Sequence, residues 1–184
     1  MSVTVHQRPG VYSSYDASSV LSGSAGGRLV GLAAIHATAT AGAVQTITSY
    51  DRAVTAFGAA SGQNMTELIR LALRNGASGV AAVPVSSAAG YESAFQTLAG
   101  VEDVAVVICD STDETVQGKL RESVIQASEN RRERIAVVAG AAAESVADLI
   151  DRAEALNCER GVLVAPGGVE EDGGGGSGVS GGPA

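Results

Sequence analysis

Five short runs of almost uninterrupted apolar residues constrain this chain more than anything else in it. RLVGLAAIHA, GVAAVPV, DVAVVIC, RIAVVAG and GVLVAPG follow one another between Arg28 and Pro166, separated by stretches with helical periodicity. A strand that is apolar on both faces belongs in a parallel sheet covered by helices on both sides. The expected fold is therefore α/β: a three-layer sandwich with a mainly parallel sheet, preceded by an extended N-terminal arm and followed by a Gly-rich C-terminal tail. With 184 residues, 45% of them hydrophobic, the chain can bury a real core. Aromatics make up 3% and Trp is absent, so that core must be built from Ala, Val, Leu and Ile.

The intervening helices have readable ends. In NMTELIRLALRNGA, Asn64 is the expected N-cap with Glu67 as its capping-box partner, and Gly76 is the stop. Met65, Leu68, Ile69, Ala72 and Leu73 form the inward stripe. In STDETVQGKLRESVIQASENRRER, Ser111 and Glu114 read as the cap pair, and Val116, Leu120, Val124 and Ala127 as the stripe. Arg131, Arg132 and Arg134 at its end would complement the negative pole of that helix. AAESVADLIDRAEALN is expected to bury Val146, Ile150, Ala153 and Leu156. Shorter helices fit YDRAVTAFG and YESAFQTLAG.

Several classes of function find no support in these residues. The net charge of −8 opposes binding to nucleic acid and to an anionic membrane surface. No apolar run approaches the roughly 18 residues of a membrane span, and no basic-then-apolar leader opens the sequence. Cys109 and Cys158 have no metal-ligand spacing and read as core-edge thiols of a reducing compartment. The glycine clusters fail as phosphate cradles: Gly23–Arg28 precedes a strand, and APGGVEEDGGGG opens no helix and is acidic. Gly118 lies inside a helix. Asp110 ends a strand where a phosphoacceptor or Mg²⁺-binding carboxylate could sit, and it is the one candidate working residue. No second acidic cluster or lysine accompanies it, so a polar turn leading into the next helix is the preferred role. His6 and His36 have no identifiable partners, and no serine lies in a Gly-x-Ser-x-Gly elbow. No catalytic activity, metal or cofactor is expected.

SVTVHQRPGVY at the N-terminus alternates Val3 and Val5 with Thr4 and His6, as a strand does, and then turns at Pro9-Gly10. The Ser/Ala/Gly-rich residues after it offer that strand no partner. Residues 1–27 thus form an arm, 28–166 the α/β domain, and 167–184 a tail too rich in glycine to sustain a helix or strand.

RPGVY near the N-terminus is followed in order by RLVGLAA, TSYDRAVTAFG, MTELIRLALRNGASGVAAVPV, VEDVAVVICDSTDE, RRERIAVVAG and ERGVLVAPGG. This succession resembles the tail sheath proteins of contractile phages and phage-derived particles, through about Gly168. The resemblance implies hexameric rings stacked around an inner tube, contraction that drives the tube through a target envelope, and contacts with tube and baseplate proteins. It also implies synthesis in the bacterial host and residence in the particle tail, with neither nucleic-acid binding nor membrane insertion. The arm would add a strand to a neighbouring subunit's sheet. Val3 and Val5 would be buried there, Pro9-Gly10 would be the turn back to the parent body, Tyr12 would be an anchor, and Arg8 and Val11 would belong to the same inter-subunit arm. Sheath proteins of this kind continue past VLVAPGG into further sheet, helix and a C-terminal arm. The glycine run departs from that pattern, which leaves a fragment and a natural short variant as the two readings.

Overall fold

The structure, a computed structural model, describes residues 28–62, 64–141 and 144–165. The arm residues Val3, Val5, Arg8, Pro9, Gly10, Val11 and Tyr12, and the tail beyond Ala165, lie outside them.

All five apolar runs are strands: β1 (Leu29–Ile35), β3 (Val80–Val85), β4 (Val104–Cys109), β5 (Ile135–Ala139) and β6 (Gly161–Val164). A sixth, β2 (Gln45–Ile47), was not foreseen, being three residues long and only partly apolar. The spatial order is β2-β3-β1-β4-β5-β6, with β2 antiparallel and every other pairing parallel. Counting only the parallel strands, the order is 2-1-3-4-5, a doubly wound arrangement that reverses direction at β1. Pro84 sits within β3 at no cost to the ladder. Its nitrogen faces the β2 side two residues past the last paired residue, Ala82, and its carbonyl accepts from Gly42 N–H at 2.9 Å.

The helices are α1 (Tyr50–Phe57), α2 (Met65–Arg74), α3 (Tyr91–Gly100), α4 (Glu114–Glu129) and α5 (Val146–Leu156). Right-handed crossovers decide which face each one covers. Movement from β1 to β3 places α1 and α2 on one face, where Ala53, Phe57, Met65, Ile69 and Leu73 pack on Leu32, Ala34, Ile47, Val80 and Ala82. Every later crossover runs the opposite way, so α3, α4 and α5 share the other face. There Phe95, Leu98, Val116, Leu120 and Val124 pack on Ala33, Val83, Val107, Ala136 and Val138. The sheet therefore separates two cores. The α1–α2 layer does not extend over β5 and β6, where Ile135, Val162 and Val164 are 44%, 47% and 42% exposed.

The α2 stripe is as expected: Met65, Ile69 and Leu73 are buried, with Leu68 and Ala72 packed beside them. Asn64 Oδ1 accepts from Glu67 N–H at 2.9 Å, but the Glu67 carboxylate pairs with Arg70 instead of closing a capping box. Gly76, at φ +92, donates to Leu73 while Ala77 donates to Ala72, both at 3.1 Å, forming a Schellman stop. Helix α4 ends the same way, with Arg131 at φ +62 in the position glycine favours.

Three local expectations require correction. Helix α4 is capped by Asp113, not by the Ser111/Glu114 pair: Asp113 Oδ1 accepts from Thr115 N–H at 2.7 Å and Val116 N–H at 3.4 Å. Helix α5 is rotated from the expected stripe. Val146 and Ile150 are 75% and 53% exposed, while Leu149, Arg152 and Leu156 face inward. A capping box between Ser145 and Asp148 sets its start. The arginines after α4 answer the dipole of α3, not of α4. Arg134 donates to Leu98 O at 2.8 Å and Val101 O at 3.3 Å, and Arg132 to Ala99 O at 3.1 Å and Gly100 O at 3.3 Å. These are carbonyls at the end of α3, where a helix runs out of backbone donors; Leu98 O has in addition the Val101 N–H at 3.0 Å.

Candidate functional site at the carboxyl end of the sheet

A doubly wound sheet binds ligands in the crevice where strand order reverses, here between the carboxyl ends of β1 and β4. The topology delivers Asp110 to that place, directly after Cys109 ends β4. Across the crevice lie Ile35 and His36 at the end of β1, and Tyr91 opens α3 behind it.

Both Asp110 oxygens are engaged within the protein. Oδ2 accepts from the Ile35 backbone N–H at 3.0 Å, and Oδ1 accepts a short hydrogen bond from the Tyr91 hydroxyl. Tyr91 is fully buried, and its phenol is pushed well above its usual range. Burial is the main cause, followed by the Asp110 hydrogen bond and the charges of Asp110 and Cys109. It therefore stays a proton donor to Asp110. The Cys109 thiol is pushed up to about 11, mainly by burial. Asp110 thus bridges β1, β4 and α3, and does not cap α4.

His36 is also held on both sides. Its Nδ1 accepts from Thr38 N–H at 3.3 Å and Ala39 N–H at 3.0 Å, so Nε2 carries the proton and donates to Phe57 O at 2.9 Å. The ring ties the loop after β1 to the end of α1.

The next inter-strand space, between β4 and β5, is filled by a polar network that the sequence did not advertise. Arg152 is 5% exposed. It donates to Glu144 through Nε at 3.2 Å and through a short Nη2 contact, and through Nη1 to Thr112 O at 2.9 Å and Gln117 Oε1 at 3.0 Å. Gln117 in turn donates to Ser111 O at 3.2 Å and Ala139 O at 2.9 Å. The Arg152 hydrogen bond holds the Glu144 carboxyl below its usual range, and Glu144 raises Arg152. Gly140 makes room for the Glu144 loop, since a Cβ there would stand 2.8 Å from Glu144 Oε2 and overlap Leu149. The one available signal for Arg152 was its spacing from Leu149 and Leu156, three and four residues away on the same face.

Among the described residues no group of three or more His, Cys, Asp or Glu is placed to hold a metal, and no helix is long and apolar enough to cross a membrane. Cys109 and Cys158 are both free thiols.

No protein-family model matches the sequence, and no curated protein matches it. Solved structures do. A chain from the cryo-EM structure of the anti-feeding prophage baseplate, six-fold symmetrised, aligns with 86% of this chain at TM-score 0.57 and 18% identity. A chain from the contracted helical sheath of the same particle aligns with 77% at TM-score 0.47 and 20% identity. This chain spans 46% and 41% of those two chains. At these identities the likeness to the baseplate chain defines the fold: this is an α/β domain of a type found in a contractile prophage particle.

Proposed function

We propose that this chain is a structural subunit of a contractile tail sheath, in a phage or a phage-derived injection particle, and that it has no catalytic turnover. Copies stack as hexameric rings around an inner tube, and contraction drives the tube through the target envelope. Residues 1–12 link the copies by strand exchange, with Val3, Val5, Pro9-Gly10 and Tyr12 in the roles given above. Its partners are further copies of itself, the tube and the baseplate.

The observation that carries this reading is the commitment of Asp110, at the strand-order reversal, to hydrogen bonds within the domain. The site where such a fold would bind a small molecule is occupied by the internal bonds of Asp110 with Ile35 and Tyr91. A Mg²⁺ site needs several convergent oxygens, and among the described residues no group of three or more His, Cys, Asp or Glu is placed to supply them. What supports a particle role is the shared fold together with the order of sequence segments from RPGVY to VLVAPGG.

Electron microscopy of particles containing the chain tests the proposal. Six-fold rings repeating along a tube are expected. A single terminal ring would instead support a non-contracting adaptor. Deleting residues 1–8 should leave the domain folded, with an unchanged far-ultraviolet spectrum, while abolishing ring and tube formation. Assembly that proceeds unchanged would eliminate the strand-exchange role.

A further inference from the structure

The two edges of the sheet are not equally protected. One ends in β2, three residues long and carrying Gln45 and Thr46. The other ends in β6, Gly-Val-Leu-Val, with no charge, proline or bulge to blunt it. Among the described residues nothing pairs with its outer side. Arg160 O and Val164 O accept from Ala136 and Gly140 of the β5 segment, so by strand alternation residues 161 and 163 turn their backbone groups outward. Gly161 N–H is taken by Cys158 O, which leaves the Leu163 N–H and the carbonyls of Gly161 and Leu163 as the free edge. Beside this edge lies the sheet face that α1 and α2 do not reach, where Ile135, Val162 and Val164 are exposed.

The geometry points to the outer edge of β6 as the acceptor for residues 3–6 of a second copy of this chain. This rests on the proposed strand exchange and names its receiving site. Residues 3–6, Val-Thr-Val-His, alternate as a half-buried edge strand must. Pairing there would set both valines on one face of an extended sheet, and the apolar face for them to join is that of Val162 and Val164. Charge favours the union between copies. The first twelve residues contain Arg8 and no acidic residue, the whole chain carries −8, and Glu159 stands exposed where β6 begins, next to the Glu133–Arg160 ion pair.

The test uses the full chain and follows both self-association by sedimentation and exchange of the Leu163 amide. Leu163 protection should rise with protein concentration and vanish on deleting residues 1–8. Val162→Lys with Val164→Lys, both at exposed positions, should weaken association at least tenfold, as the deletion does. Leu163→Pro, which removes the outward donor, should do the same, while Leu163→Ala, losing the same packing but keeping the donor, should associate more strongly than Leu163→Pro. If the deletion abolishes association while the lysine pair associates normally, β6 is not the acceptor, although the arm still links copies. If the deletion changes nothing, the arm reading fails and this inference with it. Protection that is independent of concentration but lost on deletion would mean that the arm folds onto its own body, overturning the intermolecular site.

Discussion

Asp110 shows how a residue at a ligand-binding position can be committed to structure instead. Its partners come from 75 residues upstream in Ile35 and 19 residues upstream in Tyr91, so the bridge forms only when β1, β4 and α3 are all in place. Removing the carboxylate leaves the buried Tyr91 hydroxyl without its acceptor. Asp110→Ala should therefore cost about 1–3 kcal/mol in urea unfolding, and Tyr91→Phe should recover part of that loss. Strict additivity of the two substitutions would show that the hydroxyl bond contributes nothing. The position of Asp110 was legible in the sequence, because an acidic residue directly after an apolar run falls at a strand end. Its partners were not, because nothing local links residue 110 to residues 35 and 91.

The elements that were read correctly are those whose inward side is set mainly by apolar residues. The five long strands and the stripes of α2 and α4 need only burial, and burial leaves a periodic trace in sequence. Helix α5 misled because it has two competing stripes. Val146, Ile150 and Ala153 form the more apolar one, but the inward side is decided by Arg152, whose partners Glu144, Thr112 and Gln117 lie in other elements. The β2 strand is too short to leave a trace at all. The same long-range logic governs the arginines after α4. Arg134 is 3% exposed and satisfies carbonyls of Leu98 and Val101. Burial, with Arg132 nearby, lowers the pKa of its guanidinium from the ordinary arginine value. Arg134→Met keeps the aliphatic stem but takes the guanidinium from both carbonyls, leaving Leu98 O with its bond from Val101 N–H alone, so stability should fall by about 1–3 kcal/mol. A loss under about 0.5 kcal/mol in equilibrium unfolding would show that water serves these carbonyls equally well.

At the scale of the whole molecule, acid should be the first stress the domain fails to resist. Glu144 is lowered by the Arg152 hydrogen bond, Asp113 by the amides of Thr115 and Val116, and Asp148 by Ser145. A carboxyl whose native pKa lies below its unfolded value contributes stability above the unfolded value and loses it as pH falls through the native one. The Tm should thus be flat near neutrality and fall progressively below about pH 5, where unfolded carboxylates begin to take up protons. Glu144→Gln should shallow that decline, and an identical acid limb in the variant would remove Glu144 as a contributor. The way the backbone enters and leaves the sheet has a different consequence, a mechanical one. The chain enters at β1, which is gripped along its length by β3 on one side and β4 on the other, and it leaves from β6, which is gripped by β5 alone. A pull delivered along the strand axis through residue 28 must shear two ladders at once, whereas the same pull through residue 165 loads a single ladder of four residue pairs. In single-molecule pulling against a common anchor in α3, the N-terminal handle should hold to the higher force. A lower rupture force there would refute this. A tether attached ahead of β1 is fastened to the most firmly held strand of the sheet, and one attached behind β6 would peel away first.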